Sequence, residues 1–133
     1  MKNFKKVIVA DDDNDDLLLF QEALKETCPD TELESVTNGQ QLLALLNTTS
    51  LPEAVFIDLN IPGKNGRECL YEIRHKEEYN EMLVIVLSGS HSQAEINYCL
   101  ETGADYFFIK PSSFGELKNI VAEVCTGKLL ASK

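Results

Sequence analysis

Tryptophan is absent from this 133-residue chain, histidine occurs twice and proline only four times. Positive charge is scarce as well: 12 Lys and Arg stand against 22 Asp and Glu, a formal charge of −10. That balance argues against nucleic acid and anionic membrane as direct partners, because both select a basic surface. No apolar run approaches the roughly 20 residues of a membrane span. The opening Met1-Lys2-Asn3-Phe4-Lys5-Lys6 leads straight into a strand pattern and leaves no room for a signal peptide, so a cytoplasmic location is expected. Cys28, Cys69, Cys99 and Cys125 include no C-x-x-C pair. Zinc and thioredoxin-type chemistry are thereby set aside, leaving reduced thiols in or near the core. His75 and His91 lack a Cys or second His at ligand spacing and read as solvated side chains.

What is present is a 44% hydrophobic content, enough for a proper core in a single domain over residues 1–133. Short apolar runs alternate with helical periodicities along the whole length. Strands are expected at Lys5–Ala10, Glu32–Val36, Ala54–Ile57, Met82–Leu87 and Asp105–Ile109. The first helix follows an acidic turn capped by Asp13 or Asn14 and ends near Thr27; the second covers Gln40–Asn47. A third, Gly66–Lys76, buries Leu70 and Ile73 and exposes Arg67, Glu68, Glu72 and Arg74. The fourth starts at the capping box Ser92-Gln93-Ala94-Glu95, turns Ile96, Cys99 and Leu100 inward and closes at Gly103. A second box, Ser113-Phe114-Gly115-Glu116, opens a fifth helix striped by Leu117, Ile120, Val121 and Val124. Apolar strands joined by helices imply right-handed βαβ units, and so a parallel α/β sheet covered on both faces.

Four strands end in chemically pointed groups: Asp11 and Asp12 after the first, Asp58 after the third, Ser88 after the fourth and Lys110 after the fifth. Ligands of open α/β sheets bind at the carboxyl ends of strands, so these groups would gather at one edge. Singly, each acid is as well explained by helix capping. Together they pose an electrostatic problem. Carboxylates about 4 Å apart repel by roughly 4 kcal/mol per pair at an effective dielectric near 20. Lys110 supplies one positive charge, and the remaining deficit points to a divalent ion, with hard oxygen ligands suiting Mg²⁺. Asp58 could then attack a phosphoryl group, with Lys110 and the Ser88 hydroxyl stabilising its equatorial oxygens.

At these residues the chain resembles the receiver domain of two-component response regulators. VIVADDDND resembles the family's first strand and acidic pair, VFIDLNIPGKNG its phosphoacceptor strand and loop, VIVLSG its switch hydroxyl and FFIKP its lysine. The resemblance implies a flavodoxin-like (βα)5 fold with strand order 2-1-3-4-5. It implies Asp58 as phosphoacceptor, and Mg²⁺ held by Asp12, Asp58 and the backbone carbonyl of Asn60, with Asp11 acting through water. Ser88 and Phe107 become the switch residues, and Asn60 and Ser90 flank the route of hydrolysis. Family members also tend to have a cis peptide before the proline at position 111. Phe107 stands where tyrosine is more usual, and ordinary half-buried packing explains it as well as switching does. The extra acids Asp13, Asp15 and Asp16 resemble those of phytochrome-associated regulators, and a solvated helix N-terminus explains them equally.

The function implied is a stand-alone phosphorylation switch without an output domain. A sensor histidine kinase or phosphotransfer protein would supply the phosphoryl group. The face formed by the fourth helix, fifth strand and fifth helix would then bind a downstream protein or a second copy. Slow self-dephosphorylation is the only turnover implied. Three alternatives are weighed against this. An aspartate-nucleophile phosphatase of the haloacid dehalogenase type would use Asp11, but lacks a later acidic pair and a cap insert. An FMN carrier would need a phosphate loop where this chain puts aspartates. A degenerate receiver would keep the fold and act only by docking.

Overall fold

The computed structural model describes residues 3–48, 50–89 and 92–128. Five parallel strands, β1 (Lys6–Ala10), β2 (Glu32–Val36), β3 (Ala54–Ile57), β4 (Leu83–Ser88) and β5 (Tyr106–Ile109), form one sheet of order β2-β1-β3-β4-β5. The helices are α1 (Asn14–Thr27), α2 (Gly39–Thr48), α3 (Gly66–Arg74), α4 (Gln93–Thr102) and α5 (Phe114–Cys125). The α/β architecture and the strand order are those expected.

Alternation along the strands divides the core in two. Val7 and Val9 of β1 and Phe56 of β3 face α1 and α5, where they meet Phe20, Leu24, Leu117 and Val121. Ile8, Ala10, Val55 and Ile57 face the other way, onto Leu42, Leu46, Leu70 and Ile73 of α2 and α3. The Phe20 and Phe56 rings meet edge to face with centroids 4.8 Å apart, a favourable quadrupole arrangement. β1 and β3 are buried throughout, as a strand covered on both faces must be, whereas the edge strands β2 and β5 keep partial exposure. That is why the apolar runs of β1, β3 and β4 are uninterrupted and the pattern of β2 is weak.

Helix ends follow their capping chemistry. Asp13 caps α1, accepting from the N–H groups of Asp15 and Asp16; Ser92 and Ser113 cap α4 and α5 through Glu95 N–H and Glu116 N–H. Asn65 and Glu68 form a reciprocal capping box at the start of α3. Gly103, at φ 124°, closes α4 in a conformation that favours glycine.

Several expectations fail on side-chain placement. Arg74 is not a solvated residue of α3: its side chain is 12% exposed and pairs with Asp105. As the last helical residue, it folds over the helix end and donates to the carbonyls of Gly103, Tyr79 and Met82. Leu100 is exposed rather than inward and Ile96 only half-buried, because α4 packs mainly through Cys99 and lies beside the edge strand β5. α3 stops at Arg74 instead of Lys76 and is followed by a 3₁₀ turn, Glu77–Tyr79, whose buried Tyr79 donates to Asn47. The Lys110–Pro111 bond, whose isomer the sequence leaves open, is trans.

All four cysteines are free and buried. Burial pushes the Cys69 and Cys99 thiols up to about 11 and Cys125 to about 12, far from thiolate chemistry at neutral pH. His75 is exposed and stacks on Tyr71, while His91 and Ser90 lie outside the described residues.

Candidate functional site

The sheet's hydrogen-bond ladder runs one residue past the ends of three strands and fixes the site there. Asp11 N–H donates to Val36 O at 3.1 Å, Asp58 N–H to Ala10 O at 3.0 Å and Lys110 N–H to Ser88 O at 2.9 Å. Asp11, Asp58 and Lys110 thus leave the same edge at a fixed register. The loop carrying Asp58 has little freedom beyond this. A Cβ on Gly66 would lie 2.6 Å from the Asp58 carbonyl oxygen, so only glycine lets α3 begin so close beneath it.

The two buried acids are held alike. Asp11 Oδ1 accepts from the N–H of Asp13 at 3.0 Å, and Asp58 Oδ1 from the N–H of Asn60 at 3.1 Å. Each is an Asx turn that spends one carboxylate oxygen on the chain two residues ahead. The other oxygens converge: Lys110 Nζ donates to Asp11 Oδ2 and Asp58 Oδ2, both at 2.9 Å. Carboxylate oxygens of Asp11, Asp12 and the phosphoacceptor candidate Asp58 lie within 4.8 Å of one another. Asp12 is exposed, whereas Asp11 is 5% and Asp58 8% exposed.

Burial pushes the Asp11 carboxyl above its usual range, against the opposing pull of the Asp13 N–H and Lys110. Burial also disfavours the Lys110 charge, but hydrogen bonds to Asp16, Asp11 and Asp58 outweigh it and raise its pKa. These contacts favour the cationic form of Lys110. Three acids against one ammonium leave the pocket net negative, and every donor is a hard oxygen, a set suited to Mg²⁺ or Mn²⁺.

Ser88 falls at the same edge, and Phe107 lies further back along β5. Ser88 is the last residue of β4, wholly buried and paired in register with Ile109. Phe107 pairs with Val86 and packs, half-buried, against the core on the α2–α4 side. Asn60 is exposed beside Asp58. One participant escaped the sequence reading: Asp16 Oδ2 lies 2.6 Å from Lys110 Nζ. Its signal was the run of acids after β1, which a helix N-terminus explains equally well. Only the fold, which brings residue 110 beside residue 16, tells the two apart.

A strand-end acid pair, a strand-end acid and a strand-end lysine on a 2-1-3-4-5 sheet have close counterparts. The family model for the response regulator receiver domain matches residues 7–122. The chain is 28% identical over 123 residues to response regulator Rcp1 of Synechocystis sp., covering 88% of this chain and 84% of that protein. A probable methanogenesis regulatory protein, FilR2 of Methanothrix harundinacea, is also 28% identical, over 89% of this chain and 79% of its own. The crystal structure of the phosphorylated cyanobacterial phytochrome response regulator RcpA superposes with a TM-score of 0.86 at 28% identity, over 97% of this chain and 96% of that one. The Mn²⁺-bound form of Rcp1 superposes with a TM-score of 0.82 at 28% identity, over 90% and 91% of the two chains. This chain belongs to the response regulator receiver domain family of two-component systems.

Proposed function

We propose that the chain is a phosphoryl-accepting switch in a two-component phosphorelay, with Asp58 as the acceptor. The observation that carries this is the single Lys110 ammonium bonded at once to Asp11 and Asp58, which arrive from different strands. Asp58 stands at the end of β3, the middle strand of the sheet, with the carboxylates of Asp11 and Asp12 close by. Its carboxylate attacks phosphorus, a new O–P bond forms, and the donor's bond to phosphorus breaks with the electron pair leaving on the donor. No proton need be removed from a carboxylate. Lys110 transfers its bond from Asp58 Oδ2 to a phosphoryl oxygen, and the Ser88 hydroxyl donates to another.

Asp11, Asp12, Asp58 and the Asn60 carbonyl would hold Mg²⁺, Asp11 through water. When bound, the ion offsets the charge gathering on the phosphoryl oxygens. The convergence of three carboxylates on a pocket with one ammonium supports this fit. So does the Mn²⁺ bound by Rcp1.

A sensor histidine kinase or phosphotransfer protein is the donor in this account, and the similar phytochrome response regulator RcpA occurs in a phosphorylated form. Capture of Ser88 and Lys110 by the phosphoryl group would bias the loops after β4 and β5, with Phe107 between them as the candidate second switch. The readout surface is the α4–β5–α5 face, where Tyr98, Leu100 and Ile109 expose apolar area to a downstream protein or a second copy. A cytoplasmic setting belongs to the same proposal. Among the described residues no helix is long and apolar enough to cross a membrane.

Family membership disfavours the haloacid dehalogenase and FMN readings, and the docking-only receiver is the rival to test. Intact-mass spectrometry after incubation with acetyl phosphate and Mg²⁺ separates them. The switch gains a phosphate-sized mass that depends on Mg²⁺ and is lost in Asp58→Asn. A folded chain that gains none is a docking module.

A further inference from the structure

We propose that Asp16 is a positioning residue for this phosphoryl transfer, a tether that keeps the Lys110 ammonium in place while Asp11 and Asp58 change partners; the inference rests on the phosphoacceptor reading above. An ammonium group has three N–H donors. Lys110 directs them to Asp11 Oδ2, Asp58 Oδ2 and Asp16 Oδ2, the last being the shortest contact at 2.6 Å.

The three acceptors are not equivalent. Asp11 and Asp58 belong to the group of carboxylates close enough to share a cation, and Asp16 does not. During the reaction the oxygens of Asp11 and Asp58 take up new partners, so their hold on Lys110 is transient by design. Asp16 stays free of that exchange. It comes from the first turn of α1, whose geometry is set by the Asp16 N–H donating to Asp13 Oδ1 at 3.1 Å. Its side chain is 38% exposed, against 8% for Asp11 and 9% for Asp58, so it keeps part of its hydration while holding the lysine.

Lys110 needs such an anchor. Its charge sits at the end of a flexible four-carbon stem, and a stem released from both buried acids has many rotamers in which the ammonium misses the phosphoryl oxygen. Holding a reacting partner in place is worth a large factor in rate. Asp16 also adds negative charge near an anionic donor, which would slow the donor's approach. The two effects have opposite signs. A tether makes Asp16 variants slower, and simple repulsion makes them faster.

The test is the time course of acetyl phosphate incorporation at saturating Mg²⁺, followed by intact mass across a range of donor concentrations. Wild type is compared with Asp16→Asn, Asp16→Ala, Asp16→Glu and Asp15→Asn, with melting curves confirming the fold. Asp15 is the exposed neighbour in the same turn and controls for lost charge and for the helix N-terminus. The tether predicts that Asp16→Asn and Asp16→Ala lower the rate constant at saturating donor by about tenfold, the scale of one charge-assisted hydrogen bond. The half-saturating donor concentration changes little, Asp16→Glu recovers most of the rate, and Asp15→Asn stays within about twofold of wild type. Asp16 variants as fast as wild type or faster overturn the tether, as does an equal slowing in Asp15→Asn. A wild-type chain that gains no mass overturns the phosphoacceptor reading, and the tether with it.

Discussion

Lys110 and Asp58, 52 residues apart in sequence, meet at 2.9 Å between Nζ and Oδ2. The contact joins the ends of β3 and β5, which are not neighbours in the sheet, across the intervening β4. The Asp58 side chain is 9% exposed and that of Lys110 23%, so neither charge is freely solvated.

Lys110→Ala should therefore destabilise the chain as well as impair its chemistry. Removing the cation leaves Asp11 and Asp58 as uncompensated buried carboxylates, and breaking such a pair costs about 2–4 kcal/mol after allowance for partial exposure. Urea denaturation in divalent-free buffer at neutral pH measures this. An unchanged midpoint would mean that water already carries the charge balance in the pocket.

Divalent ions should stabilise the fold, and Asp12 should control how much. A ligand at 100 times its dissociation constant adds about 2.7 kcal/mol. Asp12→Asn removes the exposed member of the carboxylate group without touching the core. Its melting temperature without metal should equal or slightly exceed that of wild type, because one repulsive charge is gone. The rise on adding Mg²⁺ should largely disappear. Differential scanning calorimetry with and without the ion reads both effects.

The pH dependence follows from Asp11. Burial raises its folded pKa above the ordinary 3.8. A group raised in this way favours the folded state below its unfolded pKa and loses that contribution as pH rises through the folded value. Wild type minus Asp11→Asn stability should therefore fall as pH is raised from 3.8 through the mildly acidic range, then level off. Urea titrations of both chains across that range would show the slope, and a difference that grows with pH would reverse the assignment.

Arg74 is the main structural clamp outside the site. It donates to Gly103 O at 2.7 Å, Tyr79 O at 3.0 Å, Met82 O at 2.8 Å and Asp105 Oδ2 at 2.8 Å. Arg74→Ala should cost about 2–4 kcal/mol by leaving several of these groups poorly satisfied. Arg74→Lys should rescue little, since a single ammonium cannot span the positions that the guanidinium fork reaches. Phosphoryl incorporation at low temperature should survive in both, because Arg74 touches none of the site residues. Thermal melts paired with incorporation assays distinguish clamp from switch.

What could be read from the sequence, and what could not, divides along physical lines. β1, β3 and β4 are buried on both faces, so their apolar runs are unbroken and their ends easily found. Asp11, Asp58 and Lys110 could be brought together in advance because parallel strands put their carboxyl ends on one edge. Helix faces were less legible wherever a helix lies beside the sheet's edge. Leu100 has the spacing of a core residue, yet α4 buries only Cys99 fully. Arg74 has the periodicity of a solvated position and is captured by carbonyls that come from later in the chain. Asp16 is a case of the same kind. Its local role at a helix N-terminus accounts for its presence, while its contact with Lys110 depends on a partner 94 residues away.

The central claim is that Asp58, and no other acid of the pocket, takes the phosphoryl group. An acyl phosphate is reduced by borohydride to an alcohol, which converts an aspartyl phosphate into homoserine at the modified position. Treating the chain with acetyl phosphate and Mg²⁺, reducing it and sequencing the peptides by tandem mass spectrometry locates that residue. The account predicts homoserine at position 58 alone, dependent on Mg²⁺ and weakened in Lys110→Ala. Homoserine at position 11 or 12, or at none, would contradict it.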